Sequence, residues 1–318
     1  MTSWAIAASP RHATCGRGPT RLTHIPATTS PGMWPRSRQG TATRLVGIAV
    51  HLALLGPAIA QERSTATRDQ TTPSPSKQFA DHVRDAERLL KEGRRDEARA
   101  ACQRALAEAV LENAPEPWLQ ANLPSLWSLG GIASRAGDEL CARKVWQSIV
   151  DLAVKTLPED HPKRLMACQY LALTESMLGN LTAALALQQP VVDVLSRTRA
   201  EESPELQWAR VALAAIKSGL GDLTGALALQ QQVLVVYERT LPNDRPELRM
   251  ARTGLATTLR ELGQLHEALA LQRQVVQGLA QTSKEDDPVL LNAHREVALT
   301  VRRLGDLTGA QSLQEQVV

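Results

Sequence analysis

The amino-acid sequence predicts an all-α fold, an α-solenoid of tandem helix-turn-helix units, on three observations. Four segments recur 42 residues apart: LGNLTAALALQQPVV from Leu178, LGDLTGALALQQQVL from Leu220, LGQLHEALALQRQVV from Leu262 and LGDLTGAQSLQEQVV from Leu304. Their apolar positions, such as Leu223, Ala226, Leu227, Leu229, Val233 and Leu234, are spaced by three and four, the helical period and not the strand period of two. Breaking residues hold fixed places between them, with proline at 162, 204, 246 and 288 and glycine at 179, 221, 263 and 305.

Taken in chain order, the first element is a leader. Met1 to Gln61 holds six Arg and no Asp, Glu or Lys, and it closes on RLVGIAVHLALLGPAIAQ. Arg44, the mostly apolar run from Leu45 to Leu55 and the small residues Ala58 and Ala60 are the three parts of a secretory signal peptide, with cleavage after Ala60. Met33 would give that peptide an ordinary length, so translation is expected to start there and Met1 to Gly32 to be an over-extended gene. The alternatives are a membrane or interfacial anchor, for which a block containing His51 is short, and an Arg-rich transit peptide, for which the apolar block is too compact. Export to the periplasm or the exterior is the expectation, with a cytoplasmic protein if the leader is an artefact. Residues 61–76, QERSTATRDQTTPSPS, have the composition of a disordered linker.

The repeat array is expected over 77–318, as about six units. The first two are less regular: Lys77 to Glu92 with Gly93, Ala98 and Ala105, then a unit closed by Gly137, Ala142 and Trp146. Pro124 within the first helix of the second unit predicts that this helix is shortened or kinked. In the later units proline opens the first helix, where its missing N–H costs nothing, and Ser203 and Asp287 stand ready to cap. The turn glycines supply a left-handed residue after that helix. Asp222 or Thr224, and Asp306 or Thr308, can cap the second. Alanine recurs at 167, 209, 251 and 293, at 172, 214, 256 and 298, and at 184, 226, 268 and 310, where a larger side chain would force crossing helices apart. The sixth unit stops at Val318, in register with Leu234 and Val276, before its second helix is complete. Its uncapped face is expected to self-associate or to be covered by further chain.

Small residues at each crossing, Leu-Gly at the turn and the linkers TLPEDHP (156–162) and TLPNDRP (240–246) resemble tetratricopeptide repeats of the 42-residue, kinesin-light-chain-like type. The resemblance implies a right-handed superhelix whose first helices line the concave wall. One departure is consistent: where the family places an aromatic, four residues after the second-helix alanine, this chain has Gln188, Gln230, Gln272 and Gln314. Those amides either bridge successive repeats or point to solvent.

Charge and composition narrow the function. The whole chain carries +3, but removing the six leader arginines from 36 basic residues leaves 30 against 33 acidic ones, a net −3. The folded part thus offers no overall footprint for nucleic acid. One Phe and two Tyr leave few stacking platforms for single strands. Cys102, Cys141 and Cys168 lack metal-ligand spacing and read as packing residues. There is no G-x-S-x-G, H-E-x-x-H, G-x-x-x-x-G-K or strand-borne G-x-G-x-x-G, and the seven His are scattered, so neither catalysis nor a metal nor a cofactor is expected.

What remains is the wall that the resemblance implies: Met166, Gln169, Leu173, Trp208, Val211, Met250, Thr253, Arg260, Asn292, Arg295, Leu299 and Arg302. Methionine and tryptophan give it an adaptable apolar middle, and Arg295, Arg302 and Arg303 make its last repeat basic. A peptide or helix, apolar in part and acidic at one end, is the expected partner, with no nucleic acid and no membrane after leader cleavage. The competing reading packs Met166, Trp208 and Met250 between neighbouring helices. The expected role is a non-catalytic protein-protein interaction scaffold. The alternative is the recognition half of a longer protein, with a C-terminal effector such as the CHAT-type peptidase found in similar bacterial proteins.

Overall fold

The computed structural model describes residues 77–109, 111, 114–284 and 286–315. The leader, the linker, Glu285 and the last three residues lie outside them, as does the side chain of Gln314.

Twelve α-helices are present among the described residues, in six hairpins: α1 (Lys77–Lys91) with α2 (Arg95–Ala109), α3 (Glu116–Ala136) with α4 (Glu139–Thr156), α5 (Pro162–Met177) with α6 (Leu181–Thr198), α7 (Pro204–Gly219) with α8 (Leu223–Thr240), α9 (Pro246–Glu261) with α10 (Leu265–Ala280), and α11 (Pro288–Arg303) with α12 (Leu307–Glu315). Each helix packs on its chain neighbours, and first helices also meet across repeats, α1 on α3, α5 on α7 and α7 on α9. The result is an all-α stack of tandem helix-turn-helix units.

Local chemistry sets the boundaries. Pro162, Pro204, Pro246 and Pro288 each take the first helical position. Ser203 accepts from the Leu206 N–H at 3.3 Å and Asp287 from the Val289 N–H at 2.8 Å. His161 caps α5 in the same way, its Nδ1 accepting from the Lys163 N–H at 3.2 Å, a role the sequence did not suggest. Of the paired options for the second helices the aspartates serve, Asp222 on the Gly225 N–H at 2.9 Å and Asp306 on the Gly309 N–H at 2.8 Å. The turn glycines adopt the left-handed conformation, with φ of 86° at Gly221 and 82° at Gly263, which a side chain would resist.

Pro124 does not shorten its helix. α3 runs unbroken through it for 21 residues, longer than any other described helix. The proline withholds one helical hydrogen bond, at a cost of about 3 kcal/mol. Beyond it Leu126, Leu129 and Ile132 are fully buried, each contributing about 1.5 to 3 kcal/mol, which offsets the loss. Pro124 and Gln120, whose carbonyl loses its partner, are both exposed, so water can take the bond.

The small-residue positions are the crossing points. Ala167, Ala209, Ala172, Ala214, Ala256, Ala298, Ala184, Ala226 and Ala268 are all buried to within 1%. At the second repeat the crossing residue is Gly130 instead, because the facing residue is Trp146: a Cβ on Gly130 would lie 2.7 Å from the indole. Trp146 then stacks on Tyr170 of the third repeat, with ring centroids 4.6 Å apart and planes 11° apart, and meets Trp127 edge-on at 5.1 Å.

Where the later repeats have glutamine in place of Trp146, the amide spans the gap. Gln188 is fully buried and its Nε2 donates to the Ala209 carbonyl of the next repeat at 3.0 Å. Gln272 is buried and Gln230 half-buried. The bridging role therefore holds at Gln188, and neither of the others stands free in solvent.

Candidate functional site

The predicted wall residues form columns on successive first helices. Met166, Trp208, Met250 and Asn292 are the fifth residues of α5, α7, α9 and α11; Gln169, Val211, Thr253 and Arg295 lie a turn further, then Leu173 and Leu299, and Arg260 and Arg302 occupy the last turn. None of the twelve is buried. Met166, Thr253, Asn292, Arg295 and Arg302 are exposed, and Gln169, Leu173, Trp208, Val211, Met250, Arg260 and Leu299 are half-buried. On the same helices the intervening Leu165, Leu206, Leu213, Leu248, Leu255 and Val297 are buried. One face of each first helix thus serves the core and another meets solvent.

The face changes along its length. The hydroxyls of Thr253 and Thr257 bond back to the Arg249 and Thr253 carbonyls at 2.9 and 3.0 Å. Arg295 donates to the Asn292 side chain at 3.0 Å. Arg260 is matched by Glu296 at 2.6 Å, and Arg303 donates to the Arg260 carbonyl at 2.8 Å. Glu296 was not part of the sequence reading, and it confines the basic end to Arg295, Arg302 and Arg303. Trp127 was missed as well. Stepping back 42 residues from Gln169 reaches it, and it is half-buried beside Tyr170, ring centroids 6.0 Å apart.

The three described cysteines are free thiols. Cys102 and Cys141 are buried in contact, the Cys141 Sγ lying 3.9 Å from the Cys102 carbonyl. Burial pushes the Cys102 thiol up to about 12 and the Cys141 thiol higher still, the setting of an inert packing residue. Among the described residues no group of three or more His, Cys, Asp or Glu is placed to hold a metal ion, and no helix is long and apolar enough to cross a membrane.

The architecture is that of an all-α solenoid of the kind that serves as a protein-protein interaction module. The tetratricopeptide-repeat family model matches residues 205–281, which run from the start of α7 to the end of α10. Among solved structures, the Podosopora anserina putative kinesin light chain with nearly identical TPR-like repeats is 28% identical, covering 62% of this chain and 93% of its own at a TM-score of 0.57. BtubC (BKLC) from P. vanneervenii, 13% identical over 76% of this chain and 90% of its own, and the apo quorum sensor NprR from B. thuringiensis, 13% identical over 74% and 62%, superpose at a TM-score of 0.54 each and share the fold alone. No curated protein matches the sequence. Residues 205–281 thus match the tetratricopeptide-repeat family, and the described stack is structurally related to the kinesin-light-chain type of such repeats.

Proposed function

We propose that the wall of first helices is a docking groove for a peptide or helix, whose apolar residues rest on Met166, Trp208 and Met250 and whose acidic end meets Arg295, Arg302 and Arg303. The observation that carries this reading is the solvent-facing column itself: large apolar and cationic side chains at register positions that stay open while their helix neighbours are buried. Methionine adapts to varied surfaces and tryptophan supplies a rigid anchor, the pair expected where short segments are gripped. Arginine at one end fixes the direction of the bound segment through its acidic groups.

Peptides selected from a random library against the full chain are expected to carry apolar residues followed by acidic ones. Trp208→Ala should abolish their binding and leave the melting temperature unchanged. A large fall in melting temperature would instead assign Trp208 to packing between repeats, and selected peptides indifferent to the substitution would remove the groove.

A further inference from the structure

We infer that a shallow cleft inside the fifth repeat, between α9 and α10, is a carboxylate-binding site separate from the docking wall. Its lining includes Asn243, Asp244, Arg249, Arg252, Gly278 and Thr282. The repeats provide their own control, because each position has a counterpart 42 residues earlier. In the fourth repeat Arg210 donates to the Glu201 carboxylate through both terminal nitrogens, Nη1 and Nη2, the latter at 3.0 Å, with the arginine side chain 9% exposed. That pairing holds the Glu201 carboxyl below the usual range.

The fifth repeat keeps the arginine, has no acid at the Glu201 position and draws its ion pair from Glu238 of α8 instead. Arg252 replaces Arg210 and is almost as covered, at 12% exposure. Asn243 replaces Glu201, and Arg249 replaces Gln207. Arg252 donates through Nη2 alone, to Asn243 Oδ1 at 3.3 Å and to Glu238 Oε1 at 3.2 Å, both long for charge-assisted bonds. Its Nε is buried without a partner among the described residues. A buried donor of a charged group left unmade is costly, and a carboxylate is the acceptor whose two oxygens match the guanidinium fork.

One position on the cleft lining has lost its side chain. Gly278 stands where the other repeats bury Leu152, Val194 and Val236. A Cβ there would meet nothing nearer than the Asn243 carbonyl, at 3.9 Å. Three departures from the repeat, at 243, 249 and 278, therefore converge on one cleft: an acid removed, a cation added and a side chain deleted. Asp244 lines the cleft and Glu238 pairs with Arg252. Both are exposed, so water screens them more than it screens the covered Arg252. Selectivity then comes from the fork and the gap and not from a strong overall field.

The test is a titration of the full-length protein with acetate and with two blocked tripeptides, Ala-Glu-Ala and Ala-Gln-Ala, at constant ionic strength, following the Arg252 Nε–Hε NMR resonance. Saturable shifts with millimolar dissociation constants are expected from acetate and the Glu peptide, and none from the Gln peptide. Tighter binding of the Glu peptide assigns the site to acidic side chains of a protein, and tighter binding of acetate assigns it to free organic acids. Asn243→Glu, which restores the fourth-repeat pair, and Gly278→Val, which restores the fourth-repeat filling, should each reduce the shift at least tenfold while raising the melting temperature. No saturable shift in the wild type, or the same shift in both variants, would overturn the assignment. The readout is independent of Trp208 and of the peptides selected on the wall.

Discussion

Gly130 occupies the crossing position that alanine fills at 172, 214, 256 and 298, and Trp146 the position that glutamine fills at 188, 230 and 272. The close approach of the indole accounts for both departures at once. Gly130→Ala is expected to destabilise the protein by about 1 to 3 kcal/mol through overpacking, measured by urea denaturation. Adding Trp146→Gln restores the pairing of the later repeats and should recover part of that loss, a coupling that a double-mutant cycle resolves; strictly additive effects would sink the explanation. The sequence placed Trp146 in the register of the second unit but did not single out Gly130 or link the two. Contacts across a crossing depend on three-dimensional packing that no spacing along the chain encodes.

Within elements, capping and turn chemistry were legible because they are local. Proline at the first helical position, Asp222, Asp306 and the turn glycines act within four residues of where they stand. Pro124 was misjudged because its cost is local while the burial that offsets it is tertiary. The start of α4 shows the same limit: Glu139 follows the cap Asp138, a favourable place for an acid on helix-dipole grounds, yet one of its carboxylate oxygens is buried without a partner among the described residues. Burial, and then the neighbouring Asp138 charge, push its carboxyl up to about 7 from an ordinary 4.5. Between those values the folded chain holds a proton that the unfolded chain has released, so this group lowers stability as pH rises through that window and costs nothing below it. Glu201 and Asp287, held below the usual range by Arg210 and by the Val289 N–H, act oppositely, their stabilisation fading only at more acidic pH. Glu139→Gln is expected to flatten the fall in melting temperature between about pH 5 and 7. An unchanged slope would show that the group titrates normally.

At the scale of the whole molecule the core is uneven. One continuous cluster joins the first two repeats and reaches Ala167 and Leu171 of the third, with Trp118, Trp127 and Tyr170 against it, whereas the rest of the third repeat and the later ones are held by four smaller clusters. Stability in such arrays is a sum of repeat and neighbour terms, so hydrogen exchange should find the slowest amides in α3 to α5 and the fastest in α11 and α12. Equal protection along the stack would contradict that division. The stack itself was readable because its period is written four times over. The carboxylate cleft was not, since each of its three departures looks neutral until the fold brings Asn243, Arg249 and Gly278 to one cleft beside Arg252.

Interchangeability follows from the recurrence of glutamine at 188, 230 and 272. A 42-residue block such as the one from Gln188 to Leu229 is followed by the same residue type that opens it, so a gene could duplicate or drop it and keep the register. The tryptophan-bearing second unit has no such freedom, because its indole stacks on Tyr170, a place held by Ala212, Gly254 and Glu296 in the units further on.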